Sequence, residues 1–298
     1  MSLLNNFTKH KFLDSWVNLK SNISNRFWYR KHNGENNVLT PPSEYSPVFI
    51  DEFKSALNLR EWRYGMPWGD FHPGSLHQYY DNNGTLSYVS TEGLVLELRK
   101  IPKTYKKSDL PDWRQSPKMP DEFTIPVGVG FVTTKQSWKY GWFESTIKLP
   151  KGMSYWPALW LSGLETWPPE IDIFECYSHE GPLYNDGNIP HRKIQPNLHY
   201  GVVEDGTKKM YGSYNNTING ATDRFVQYVC HWEEEFIKIY YDGRLVFQCT
   251  EPKVLEWFNK SNSHQYLIIN HGLHENHTEN PDESAMIVKS VKIFQKSK

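Results

Sequence analysis

Cysteine is nearly absent: Cys176, Cys230 and Cys249 are the only three in 298 residues. An odd, widely spaced set is no disulfide framework, which excludes the small secreted scaffolds that depend on one. A chain of this length can bury enough core to fold without such staples. A bridge between Cys230 and Cys249, on the two arms of one predicted hairpin, stays open. Neither sign of charge is in excess; the formal net charge is −1. There is thus no electrostatic footprint for nucleic acid or an anionic membrane. No apolar run approaches the roughly 20 residues of a membrane span. The opening MSLLNNFTKHKFLDSW has no uninterrupted apolar stretch and does not read as a signal peptide, so localisation stays unknown. Phosphate-binding loops, nucleophile elbows, Cys-x-x-Cys pairs and dinucleotide fingerprints are missing too.

Aromatic residues, by contrast, are plentiful: they make up 15% of the chain, and 12 are Trp. Flat rings suit the apolar faces of sugars, although sandwich cores also consume them. From Val48 onward short alternating runs follow one another between turn signals, which predicts an all-β sandwich. Asn83-Gly84, Glu92-Gly93 and Asp242-Gly243 are the clearest turns. EPKVLEWFNK (251–260) reads as a short helix. Residues 101–126 show no periodicity and read as one long loop, of the kind that is usually functional, with Trp113 as a candidate cleft wall. Residues 1–44 form an N-terminal extension ahead of a single domain at 45–298. In it Phe12, Leu13, Trp16 and Val17 can share a helical face, with Asn5 or Thr8 as cap. Lys9, Lys11, Lys20, Arg26, Arg30 and Lys31 make it basic. Such a helix can lie on a membrane; the expectation is a helix packed on the domain or solvated, with no membrane partner.

Chemistry concentrates in EIDIFE (170–175). Ile171, Ile173 and Phe174 favour extended chain, and Pro168 and Pro169 exclude a helix just upstream. Side chains alternate on a strand, so Glu170 and Asp172 share a face, while Glu175 lies an odd step away. One β-bulge restores its parity and brings it beside the others. Two inward-leaning Glu side chains can then approach to about 5–5.5 Å, the separation used in retaining glycoside hydrolysis. Three carboxylates so close cannot all ionise near neutral pH. Upstream, in WPALWL (156–161), alternation puts Trp156 and Trp160 on one face and Leu159 and Leu161 on the other, so the Leu face should be core.

These stretches together resemble a known family. SPVFIDEF (46–53), FVTTKQSWKYGWFESTIKLPKG (131–152), WPALWL, EIDIFE, NLHYG (197–201), FVQYVCHWEEEFIKIYYDGRLVF (225–247), YLIIN (266–270) and VKSVKIFQ (288–295) occur in the order found in family 16 glycoside hydrolases. That is the family of laminarinases, agarases, κ-carrageenases and lichenases, and the Glu-x-Asp-x-x-Glu form resembles its bulged branch. The resemblance implies a concanavalin A-like β-jelly-roll with a concave cleft. It implies Glu170 as nucleophile, Glu175 as general acid/base and Asp172 as the carboxylate bonded to the nucleophile. It also marks His199, Glu144 and Asn270 as polar positions near the sugar. Trp160 and Trp167 are the expected stacking platforms, with Trp156 and Trp113 as further candidates. The implied partner is a polysaccharide, a β-1,3-glucan or a β-galactan, and the chain is expected to be a monomer.

Departures from the family pattern carry expectations of their own. Thr146 stands where many members carry a subsite Arg; Thr lacks its planar fork, which favours a neutral polymer. Lys289 stands where many carry an Asp that binds a structural calcium, and an ammonium opposes that ion, so no metal or cofactor is expected. His271, His274 and His277 lack zinc spacing and read as a polar loop. A non-catalytic glycan-binding module and a transglycosylase are the alternative functions; retention of all three acids favours an enzyme.

Overall fold

The structure is a computed structural model. It describes residues 9–32, 38–71, 76–110, 112, 115, 117–152, 154–163, 166–176, 194–202, 209–211, 218, 220–274 and 281–297, with the backbone alone for 21–32. Helix α1 (Lys9–His32) comes first. It is followed by β1 (Tyr45–Asp51), β2 (Trp62–Tyr64), β3 (Gln78–Tyr80), β4 (Ser87–Ser90) and β5 (Gly93–Arg99). Next come β6 (Lys103–Lys106), β7 (Glu122–Ile125), β8 (Val127–Val129), β9 (Phe131–Trp138) and β10 (Gly141–Lys148). Then follow β11 (Ala158–Gly163), β12 (Glu170–Cys176), β13 (Ile194–Tyr200) and β14 (Lys209–Tyr211). β15 (Val226–Trp232), β16 (Ile237–Tyr241), β17 (Arg244–Cys249), α2 (Pro252–Phe258), β18 (Gln265–Asn270) and β19 (Ser284–Lys296) complete the chain.

Two sheets face each other, as the alternating pattern predicts. The larger runs β17-β16-β15-β10-β19-β5-β8-β3, with β1 on β19 and β4 on β5. The smaller runs β14-β13-β12-β11-β18-β9-β2. Inward residues from both fuse into one core, with Phe143, Leu159, Leu161, Ile171, Phe174, Tyr228, Trp232, Ile269 and Ile293 fully buried. The β16–β17 turn has φ of 46° at Asp242 and 78° at Gly243, the paired positive values of a tight hairpin that Asp-Gly tolerates. Cys230 and Cys249 lie on β15 and β17 with β16 between them, opposite Ile239 and Ile237. They are not bridged; all three cysteines are free and buried.

One expectation is corrected. Residues 101–126 are not one structureless loop: β6 and β7 pair, with Tyr105 opposite Phe123. Those rings stack at 5.7 Å, and both pack on Phe71. Aromatic pairs spaced 18 apart leave no local period to read. α1 packs on the domain, one of the two outcomes expected of it. It docks by its polar side, leaving Phe12, Leu13, Trp16 and Leu19 exposed. Buried Asp14 accepts from Thr250 N at 2.6 Å, Thr250 Oγ1 at 2.8 Å, Tyr211 OH at 3.0 Å and Gln248 Nε2 at 3.2 Å. Burial pushes the Tyr211 hydroxyl up, so it keeps its proton and donates. Gln248 N donates to Asn18 Oδ1 at 2.6 Å, and Asn18 Nδ2 donates to Gln248 O at 2.9 Å. β17 is the edge strand of its sheet, and these side chains satisfy backbone groups that an open edge would expose. Asn5 and Thr8 lie outside the described residues.

Candidate active site

β12 carries the site, and its irregularity sets the geometry. On the β11 side Leu159 faces Phe174 and Trp160 faces Asp172, so Ile173 is one residue too many. On the β13 side Asp172 faces Asn197 and Glu175 faces Gln195. Ile173 and Phe174 thus oppose the single residue Pro196. Proline has no N–H to give to a ladder and is tolerated inside a sheet at such bulges. The carbonyl of Ile173 accepts instead from Tyr241 OH, at 2.8 Å, across from the opposite sheet. With the register so shifted, Ile171, Ile173, Phe174 and Cys176 join the core. Glu170, Asp172 and Glu175 all turn to the other face and line one cavity of about 480 Å³.

Each acid is held by neighbours. Trp167 Nε1 donates to Glu170 Oε2 at 2.7 Å. Trp156 Nε1 donates to Glu175 Oε1 at 3.0 Å, and Asn197 Nδ2 to Glu175 Oε2 at 2.8 Å. His199 faces Glu170 across the β12–β13 ladder. Its Nε2 lies 3.1 Å from Asp172 Oδ2 and 3.4 Å from Glu170 Oε1. Burial, and next the Asp172 charge, push Glu170 well above the ordinary carboxylate range; His199 and the Trp167 hydrogen bond act against this. The site therefore retains a proton more readily than separate carboxylates would.

The apolar wall is built around Trp160, whose Nε1 donates to Asn270 Oδ1 at 2.8 Å. Trp68 stacks beside Trp160 at 6.5 Å with 30° between the planes, and Phe131 meets it edge-on at 6.4 Å. Trp156, Trp160, Trp167 and Asn270 line the cavity together with Met66, Trp68, Phe71, Gln78 and Tyr80. A groove of aromatic rings around a few polar groups is what a sugar chain needs.

Not every expected residue is there. Glu144 lies on β10 of the larger sheet, between Val229 and Lys292, where it accepts from Trp142 Nε1 at 3.2 Å. It does not line the cavity. Thr146 is on the same strand, opposite Gln227 and Ser290, so the missing Arg says nothing about the sugar subsites. Trp113 lies outside the described residues, as does His277. His271 is buried against Ser284 Oγ at 2.8 Å. Among the described residues, the one group of three potential metal ligands is Glu170, Asp172 and His199; these belong to the cleft itself. Sequence reasoning missed Trp68, Asn197 and Tyr241. For the bulge the missed signal is Pro196, a proline in an interior strand.

The bulge gives Tyr241 a testable task. Tyr241→Phe removes the hydroxyl that donates to the Ile173 carbonyl, at a cost of about 1–3 kcal/mol for a buried acceptor left unmet. Because that carbonyl sits two residues before Glu175, kcat should fall about ten-fold while KM changes little. A variant that melts earlier yet turns over normally would show that Tyr241 braces the core alone.

Comparison with known proteins adds the following. The family model described as Glycosyl hydrolases family 16 matches residues 76–284. The chain is similar to a glucan endo-1,3-beta-glucosidase of Cryptopygus antarcticus, 30% identical over 162 residues, which are 52% of this chain and 51% of that protein. It is similar to glucan endo-1,3-beta-glucosidase A1 of Niallia circulans, 26% identical over 71% of this chain and 30% of that protein. The chain thus spans about half or less of the length of these relatives. Among solved structures it superposes on a non-specific endo-β-1,3(4)-glucanase with a TM-score of 0.66 at 24% identity, covering 89% of this chain and 96% of the other. The catalytic domain of an endo-1,3-β-glucanase (laminarinase) from Thermotoga petrophila gives a TM-score of 0.61 at 21% identity, over 87% and 100%. At that identity the two structures establish the jelly-roll fold.

Proposed function

The chain belongs to glycosyl hydrolases family 16, and from that premise we propose that it is a retaining, endo-acting hydrolase of β-linked polysaccharide. β-1,3-Glucan is the first substrate, because the curated relatives are named for that linkage. One observation carries the reading: a one-residue bulge turns three acids of one strand into a single aromatic-lined cavity. Residues 45–298 form the catalytic unit in this proposal, and α1 is an appendage on it.

The reaction runs as two displacements. Ionised Glu170 attacks the anomeric carbon, while Glu175 gives its proton to the departing glycosidic oxygen. The C–O bond breaks, and the sugar stays on Glu170 as an ester. Glu175, now a carboxylate, takes a proton from water, whose oxygen attacks the same carbon and frees Glu170. Two inversions give net retention. His199, whose Nε2 lies within reach of both Glu170 and Asp172, holds the nucleophile in place and acts against the repulsion from Asp172. No resident metal has a part: the family's calcium position carries exposed Lys289, whose ammonium lies 5.6 Å over the Phe225 ring. Calcium requires oxygen ligands there.

Release of reducing ends from β-1,3-glucan, mixed-linkage glucan, agar and carrageenan tests the proposal. The expected result is cleavage of β-1,3-glucan to oligomers of many sizes from the first minutes, with the β-anomer appearing first by NMR. Cleavage of a galactan alone would move the substrate class. An α-anomer first would overturn retention, and no products from any polymer would make the chain a binding module.

A further inference from the structure

α1 is organised back to front for a helix that serves only to complete a domain. A packing helix buries its apolar stripe and shows charge to water. Here the side facing β17 is Asp14 and Asn18, both buried, and each is spent on hydrogen bonds to β17 and its flank. Phe12 is 64% exposed, Trp16 60%, Leu19 47% and Leu13 44%. Phe12, Trp16 and Leu19 follow the i, i+4, i+7 spacing of one helical face, and the sequence keeps that spacing with Ile23 and Phe27. Leaving four large apolar side chains in water on one face is costly, so this face requires an occupant.

Charge says which occupant. Residues 1–32 contain six Lys or Arg against Asp14 alone, a net of five positive charges in a chain whose total is −1. The whole-chain balance hides this asymmetry. Asp14, the only acid, is turned towards β17, while Lys9 and Lys20 are exposed on the helix. In RFWYRK (26–31) three consecutive aromatics lie between basic residues. A neutral glucan has no use for this charge, and a second identical helix would repel it. Cations flanking an aromatic stripe match the headgroup region of an anionic bilayer, where rings sit at the interface and cations meet phosphate. The 24-residue helix would extend about 36 Å along that surface. No helix among the described residues is long and apolar enough to cross.

We propose that α1 is a peripheral docking element that lays the protein on an anionic lipid surface, with its polar side welded to the edge of the sandwich. The expectation of no membrane partner, drawn from net charge, gives way to this reading, which does not depend on the catalytic proposal.

The test is sedimentation of the full chain with vesicles of phosphatidylcholine alone and with about one-third phosphatidylglycerol. Binding is expected to the anionic vesicles and to weaken with salt. Neutralising Lys9 and Lys20 together (Lys9→Gln, Lys20→Gln) should weaken it roughly thirty-fold, from about 1 kcal/mol per cation near such a surface. Phe12→Ser with Trp16→Ser should abolish it, while the melting temperature and polysaccharide hydrolysis stay at wild-type values. No vesicle binding, equal binding to neutral vesicles, or binding unchanged in the serine variant would each overturn the proposal. So would co-sedimentation with insoluble β-glucan instead of vesicles, or a dimer by light scattering that the serine variant makes monomeric.

Discussion

Replacing Glu170 by Gln is expected to lower kcat on β-1,3-glucan by at least about 10³-fold, because an amide cannot form the glycosyl ester. The same substitution should raise the melting temperature at pH 7. The two effects share a cause. Glu170 sits in the cavity wall beside Asp172, with Glu175 further along the strand, and burial comes first among the causes that push its carboxyl up. Gln keeps the acceptor that Trp167 Nε1 uses and removes the charge that the site resists.

The pH dependence follows from that direction. Glu170 binds its proton more tightly folded than unfolded, so the folded state is favoured while the group is protonated. That favour is lost as pH rises from the unfolded value, about 4.3, through the raised folded value. The stabilisation by Glu170→Gln should therefore be present at pH 7 and vanish below about pH 4. Thermal melts of wild type and variant across this range check it; a variant less stable at pH 7 would mean that ionised Glu170 is held favourably after all. Since the nucleophile must be ionised, the acidic limb of kcat/KM should lie above the ordinary glutamate range.

Much of this site is legible in six residues, since period-2 alternation and an odd step leave one irregularity as the way to unite three acids. The Leu and Trp faces of WPALWL also follow from alternation, because one face of β11 is core. What sequence cannot display is contact between distant segments. Trp68 reaches Trp160 from 92 residues away, and Tyr241 reaches Ile173 from the other sheet. Glu144 misled because its motif neighbours are real while its strand belongs to the larger sheet. For α1 the sequence left open which side would pack. Periodicity identifies an apolar stripe but not the side that packs, and four hydrogen bonds to Asp14 outweighed Phe12 and Trp16.

Glu175→Gln should separate the two steps of the reaction rather than stop both. On polysaccharide, where the leaving oxygen must be protonated, kcat should fall by about 10²–10⁴-fold, the usual contribution of a general acid. On an aryl glycoside with a strongly acidic phenol no proton is needed, so the glycosyl-enzyme should still form, in a burst, and then accumulate for want of a base. Added azide, which needs no deprotonation, should attack it and release a β-glycosyl azide of retained configuration. The surroundings permit this substitution: Trp156 Nε1 keeps an acceptor at Oε1. The Asn197 amide, 2.8 Å from Oε2, can turn its carbonyl end to receive the new NH₂, and that carbonyl has no hydrogen-bond partner among the described residues. The same half-turn lets Asn197 donate to the carboxylate and accept from the acid in the native enzyme, which suits a group that changes protonation twice per cycle. Equal losses on both substrates with no azide product would remove Glu175 from the proton-transfer role.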